Sequence, residues 1–216
     1  MKRAISLLAP VILAFAAAHA AHADAPLITE ARAVAEFHAI AVPGTLAVEV
    51  TVGKAPHVDV TGDPEQVAKV FTTVKDGVLV LDTKLKDDHQ SRRRNHLRVI
   101  VTMPVLDAIN VGGVADMKVT GLAGDRLAVD LPGTASLRLT GATGRLELRI
   151  SGTGNVEAKT LEAKDATIDV GGTGAAALRA TQSVAINVTG TGSVDVVGHP
   201  GHVTKHVSGL GSVSVH

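Results

Sequence analysis

Three histidines, His199, His202 and His206, stand in the run H-P-G-H-V-T-K-H at spacings of three and four. On a helix that spacing would turn the imidazoles to one side, where their ring nitrogens could bind Zn or Cu. Pro200-Gly201 forbids a regular helix there and marks a turn between elements. The residues therefore read as solvated loop histidines, and no metal site is expected. The other concentration of reactive groups is basic: Arg92, Arg93 and Arg94, with Lys84, Lys86, His89, His96 and Arg98 nearby. Asp87 and Asp88 dilute the charge, and no aromatic ring is interleaved for base stacking. A solvated loop between two strands is the expectation, the alternative being a site for an anionic surface ligand such as a glycan phosphate.

Thr134, Thr153, Thr173 and Thr191 recur at near-constant spacing. Such an array could order water or ice if it lay in flat parallel ranks, but the neighbouring rank of Pro132, Ser151, Gly171 and Thr189 is irregular. A hydrogen-bonded threonine spine is expected instead. Asp130, Asp169 and Asp195 are the acids that a polysaccharide-cleaving enzyme would need to converge in a groove, and no partner for them is evident. No Ser-His-Asp order, glycine-rich phosphate loop or helical H-E-x-x-H is visible. Sugar sites also favour aromatic platforms, and the chain has three Phe and neither Trp nor Tyr. No catalytic, cofactor-binding or metal-ligating residue is assigned, no cofactor is expected, and the protein reads as a non-enzyme.

The elements that carry these residues are set by a repeat. Strand-like stretches run into glycine corners at V-G-G-V-A-D (111–116), L-P-G-T-A-S (131–136), I-S-G-T-G-N (150–155), V-G-G-T-G-A (170–175), V-T-G-T-G-S (188–193) and V-S-G-L-G-S (207–212). Their anchors Gly113, Gly133, Gly152, Gly172, Gly190 and Gly209 are 20, 19, 20, 18 and 19 residues apart. A period of about 20 with strands in each unit predicts a solenoid. Before each corner Leu127/Val129/Leu131, Leu146/Leu148/Ile150, Ala166/Ile168/Val170 and Val184/Ile186/Val188 alternate with polar residues. After it a second apolar run follows, as in Leu137/Leu139 and Val194/Val196.

Coils stacked in register make parallel sheets, and crossovers in one sheet are right-handed. The predicted fold is all-β, a right-handed parallel β-helix with coils of about 19 residues. The corner glycines are expected to adopt positive φ and to leave room for the next corner. Asn110, Asp130, Arg149, Asp169, Asn187 and His206 should form one outward ladder, with Asp130, Arg149 and Asp169 alternating in charge.

Upstream, period-two runs at 37–42, 46–52, 57–61, 78–82 and 97–102 read as strands. One short helix is predicted near 64–70, with Asp63 as N-cap, Pro64 at its first position and Gln66 completing a capping box. Asp76-Gly77 predicts a tight hairpin turn. Val42-Pro43-Gly44-Thr45 nearly copies Leu131-Pro132-Gly133-Thr134, so the solenoid should already begin there, with longer excursions between its turns.

Met1-Lys2-Arg3, an apolar stretch from Ala4 to Ala18 and Ala-x-Ala sites ending at Ala20 and Ala23 read as a signal peptide, residues 1–23. The apolar run is short of the roughly 20 residues that span a bilayer, so no membrane span is expected. The chain contains no cysteine, hence neither lipobox nor disulfide. Loss of Lys2 and Arg3 leaves 19 basic against 21 acidic residues, a formal net charge of −2 that gives no footprint for nucleic acid. Residues 24–35 form a lead-in, and 36–216 a single domain whose regular coils occupy 109–216.

Arg32 followed by Phe37-His38-Ala39-Ile40, then V-E-V-T-V-G (48–53), V-D-V-T-G-D (58–63), D-G-V-L-V (76–80), V-T-M-P-V-L (101–106) and the V-S-G-x-G-S corners resemble the head GIN domain family of auto-transporter adhesins. The resemblance runs over about 32–215. It implies a bacterial envelope or secreted protein with a parallel β-helix fold and no assigned catalytic residues. The expected function is thus a non-catalytic, exported cell-envelope module, periplasmic or secreted, that binds a protein or envelope polymer or serves as a scaffold. The alternative is a carbohydrate-active β-helix enzyme acting on polysaccharide. Because V-S-G-L-G-S-V-S-V (207–215) is followed by no capping helix, self-association through the C-terminal coil is expected. In that reading Val207, Leu210, Val213 and Val215 pair with another subunit or are covered by the Asp24–Ala35 lead-in.

Overall fold

The computed structural model describes residues 26–83 and 97–216. In chain order the first elements are β1 (Ile28–Arg32), β2 (Ala39–Val42), β3 (Thr45–Val52), β4 (His57–Gly62), the short α1 (Pro64–Val67), β5 (Val70–Lys75), β6 (Val78–Thr83), β7 (Arg98–Met103) and β8 (Ala108–Val111). The chain continues through β9 (Val114–Leu131), β10 (Thr134–Ile150), β11 (Thr153–Val170), β12 (Thr173–Val188), β13 (Thr191–Val197), β14 (His202–Val207) and β15 (Leu210–Val215). Parallel pairing of coil on coil makes this a β-solenoid.

Each coil contributes one strand segment before its glycine corner and one after it. The pre-corner ladder runs β6, β2, β8, then through the later halves of β9 to β12, to β14. The post-corner ladder runs β7, β3, then through the earlier halves of β9 to β12, to β13 and β15. Inward columns of the two ladders meet in a narrow aliphatic core. Leu127, Val129 and Leu131 and their counterparts up to Val184, Ile186 and Val188 are at most 2% exposed. Each such Leu or Ile contributes about 1.5–3 kcal/mol by leaving water, so the period-two pattern alone drives the stack to this register.

Stack order departs from chain order in the first half. β3 lies between β7 and β9, so residues 53–107 leave the second layer, build the layer beneath it from β6 and β7, and return. The near-copy corner at Pro43-Gly44 does stack directly on that at Gly112-Gly113, as the sequence suggested. Antiparallel strands close this end: β4 pairs with β7, and β1 with β4. Within the lead-in, β1 is thus an edge strand of the sheet, remote from the C-terminal coil, and does not cover it. Asp76 and Gly77, at φ 52° and 75°, turn β5 into β6.

Three local expectations are corrected. The helix stops at Val67, because Val70 is buried at 3% exposed and already begins β5. Its capping box does not form: the Asp63 side chain makes no cap bond, and its backbone carbonyl accepts from the N–H groups of Gln66 and Val67 at 2.9 Å each.

The corner glycines are not at positive φ. What each requires is space: a Cβ on Gly133 would collide with the carbonyl oxygens of Gly113 and Gly112, and the same holds at each later corner. Those carbonyls are fixed by bonds between coils, such as Thr134 N–H to Gly113 O at 2.8 Å and Thr153 N–H to Gly133 O at 2.9 Å.

The threonine spine exists but uses other residues. Thr134, Thr153, Thr173 and Thr191 align in register on the surface. The hydroxyls that bond from coil to coil are those of Thr120, Thr140, Thr160 and Thr181. They donate to the carbonyls of Val50, Val119, Leu139 and Ala163 at 3.2–3.3 Å. These threonines follow the post-corner strands, where the chain bends and a partly buried carbonyl needs a second donor.

Candidate binding face

Outward positions of the pre-corner ladder build a polar surface of aligned columns. Asn110, Asp130, Arg149, Asp169, Asn187 and His206 stand in one column by strand register, as the spacing predicted. Its bonds are made by amides. Asn110 Nδ2 donates to Asp130 Oδ2 and Asn187 Nδ2 to Asp169 Oδ1, each at 3.1 Å. Among the described residues no ion pair within 4.0 Å includes Arg149, so the expected alternating charges are adjacent without closing on one another.

Two residues along, Ala108, Ala128, Glu147 and Thr167 form the neighbouring column. One step further, Arg126, Arg145, Asp165 and Ser183 form a third. Arg126 Nη2 donates to Glu147 Oε2 at 2.9 Å, and Ser183 Oγ donates to Asp165 Oδ1. The small side chains of Ala108 and Ala128 leave a concavity of about 530 Å³ walled by Asn110, Asp130, Glu147, Arg149, Thr167 and Asp169. Sequence reading found one wall of it. The floor was readable in principle, because the same period-two count that placed Asp130 and Arg149 outward also places Ala128 and Glu147 outward.

The surface can offer amide, guanidinium and carboxylate groups in ranks about 4.8 Å apart, the spacing of successive coils. It suits multiple weak hydrogen bonds to an extended ligand. Asp130 and Asp169 are each committed to an asparagine. Asp195, expected without a partner, receives the ammonium of Lys159 at 2.6 Å and lies 3.5 Å from His216 Nε2.

On the post-corner face the guanidinium of Arg138 donates to Glu157 Oε2 at 2.7 and 3.0 Å. Hydrogen bonding and charge from Glu157 hold the Arg138 pKa above its usual value. Arg98 joins Glu49 at 3.2 Å, while the other members of the basic cluster, Lys84 to His96, lie outside the described residues.

His199 occupies the turn, at φ 54°, and His202 and His206 lie on β14 with exposed side chains. Among the described residues no group of three His, Asp or Glu side chains is arranged to hold a metal ion.

A stack of parallel coils with polar ladders outside and an aliphatic core defines a β-solenoid. The chain belongs to the family described as putative auto-transporter adhesin, head GIN domain, which matches residues 36–200. It is similar to the crystal structure of a putative adhesin from Bacteroides fragilis, at 25% identity and a TM-score of 0.71, over 88% of this chain and 97% of that one. It is also similar to a putative adhesin from Parabacteroides merdae, at 18% identity and a TM-score of 0.50, over 88% and 96% of the two chains. A putative lipid binding protein from Parabacteroides distasonis shares 18% identity at a TM-score of 0.45, over 88% and 96%. No curated protein matches the chain.

Proposed function

We propose that the protein is an exported, non-catalytic binding module of the cell envelope, and that its working surface is the pre-corner face. The observation that carries this reading is the concavity over Ala108 and Ala128, with Asn110, Arg149 and Asp169 on its walls. A rigid stack holds these groups at fixed spacing, so an extended protein segment or envelope polymer meets several of them without an ordering cost to the module. Export follows from the Lys2-Arg3 start, the apolar stretch and the Ala21-His22-Ala23 site, all within residues that precede the described structure. Among the described residues no helix is long and apolar enough to cross a membrane.

The rival reading, a polysaccharide-cleaving enzyme, finds no support in this face. Its acids are tied to Asn110, Asn187, Ser183 and Arg126 within the ladders. Phe37, at 3% exposed, cannot serve as a sugar platform, and Phe71, 43% exposed, stands on β5 and does not line this concavity.

The test is binding of the mature protein to separated envelope polysaccharide and envelope protein, compared with an Arg149→Ala/Asp169→Ala variant of unchanged melting temperature. The reading expects the variant to bind at least about tenfold more weakly, as loss of two charged hydrogen-bonding groups implies. Equal binding by the variant refutes the face, and release of reducing ends from polysaccharide refutes the non-catalytic reading.

A further inference from the structure

We propose that Lys205 bars the C-terminal end of the solenoid from stacking on a second copy of the chain. In β14 the register pairs Val203 with Val184, Lys205 with Ile186 and Val207 with Val188. Parallel partners in register project to the same side of a sheet. Val184, Ile186 and Val188 are at most 2% exposed, so Lys205 stands on the core column. Below it that column reads Val129, Leu148, Ile168 and Ile186. The sequence places one charge in this otherwise aliphatic column, in the outermost layer among the described residues.

The end it guards is otherwise suited to association. Among the described residues no strand pairs with the outer edge of β14 or β15. Val203, Val207 and Leu210 are 45%, 40% and 79% exposed. A strand edge of this kind templates further pairing, and an inward-pointing charge is a known way to prevent it.

The chain cannot cover the end from its own described parts, since β1 lies at the opposite end of the sheet.

A second copy meets Lys205 in either orientation. Tail to tail, two ammonium groups enter one closed interior. Head to tail, one is sealed under the opposite end of the next molecule. Residues 198–216 contain no Asp or Glu, so no side chain of an identical end supplies a counter-charge, and an ammonium buried without one is strongly disfavoured. Among the described residues no carboxylate lies within 4.0 Å of Lys205 in the single chain either, which leaves its head in water at the rim.

Sedimentation velocity on residues 24–216 at micromolar concentration tests this. The wild type and Lys205→Arg should sediment as monomers, whereas Lys205→Met and Lys205→Ile should gain about twofold or more in mass by end-to-end pairing. A charge restored on the neighbouring core column, Val213→Lys in the Lys205→Ile background, should return the monomer. Variants that precipitate are judged by the same reversal: recovery of a soluble monomer supports the proposal, and failure to recover overturns it. The proposal also falls if both neutral variants remain monomeric, or if the wild type is already an oligomer.

Discussion

The backbone carbonyl oxygen of Gly152 occupies the place that a Cβ on Gly172 would need. Gly172 N–H donates to Ile150 O at 3.0 Å and Thr173 N–H to Gly152 O at 2.9 Å, so the two corners cannot separate without breaking the bonds between their coils. Gly172→Ala should therefore cost about 3 kcal/mol, at the upper end of overpacking penalties. Thr173→Val, one residue on and exposed, should stay within about 0.5 kcal/mol of wild type. Thermal melts of both variants check this, with a drop of roughly 6–12 °C expected for the first alone.

The hydroxyl of Thr160 donates to the carbonyl of Leu139 at 3.3 Å, while Thr153 lies in the aligned surface row. Thr160→Val should lose about 0.5–1.5 kcal/mol, the net worth of one such bond, and Thr153→Val almost nothing. Denaturant unfolding of the pair distinguishes the two threonine rows, and the reverse ranking would place the spine on the corners after all.

Gly77, at φ +75°, faces the ring of His38, which an added Cβ would strike at about 2.5 Å from Nε2. His38 N–H and Ala39 N–H both donate to Gly77 O, at 2.9 and 3.3 Å, so the hairpin turn is pinned to the strand start. Gly77→Ala should cost about 1–3 kcal/mol through backbone strain and shift the ring. His38→Ala in the same background should relieve only the collision. Melting temperatures of the two single variants and the double variant separate the contributions.

Legibility followed the periodicity. Every inward column from Leu127 to Val188, and the outward ladder from Asn110 to His206, could be read from a period of two inside a period of about 20, because register in a stacked coil is an arithmetic consequence of coil length. Less legible were features that depend on three-dimensional approach. The role of Gly133 and Gly172 lies in the previous coil's carbonyl, and the insertion of β6 and β7 beneath β2 and β3 reverses chain order. The groove floor at Ala108 and Ala128 is defined by what its neighbours have and it lacks. Lys205 is legible by the same alternation, since counting two back from Val207 places it inward, but a charge at an inward position breaks the apolar pattern that marks the core.

The mature chain should begin at Asp24, given Ala21-His22-Ala23 and the absence of cysteine from the sequence. Intact-mass analysis of the protein recovered from an exporting bacterium decides this. A mass that retains Met1–Ala23 would remove export from the proposed function.

His202 and His206 stand four positions apart on β14, which places their Cα atoms about 13 Å apart. Register sets His202 beside Ser183 and His206 beside Asn187, in two different outward columns. Two imidazoles so placed cannot share a first-row ion, whose bonds to nitrogen are about 2.0–2.1 Å long. His199, in the preceding turn, cannot complete a set that the strand has already split. A chelator should therefore leave the melting temperature unchanged, and added Zn should not raise it. A rise on adding Zn that is lost in His202→Ala and in His206→Ala alike would mean that one ion bridges both columns, and would require β14 to leave the register it holds with β12.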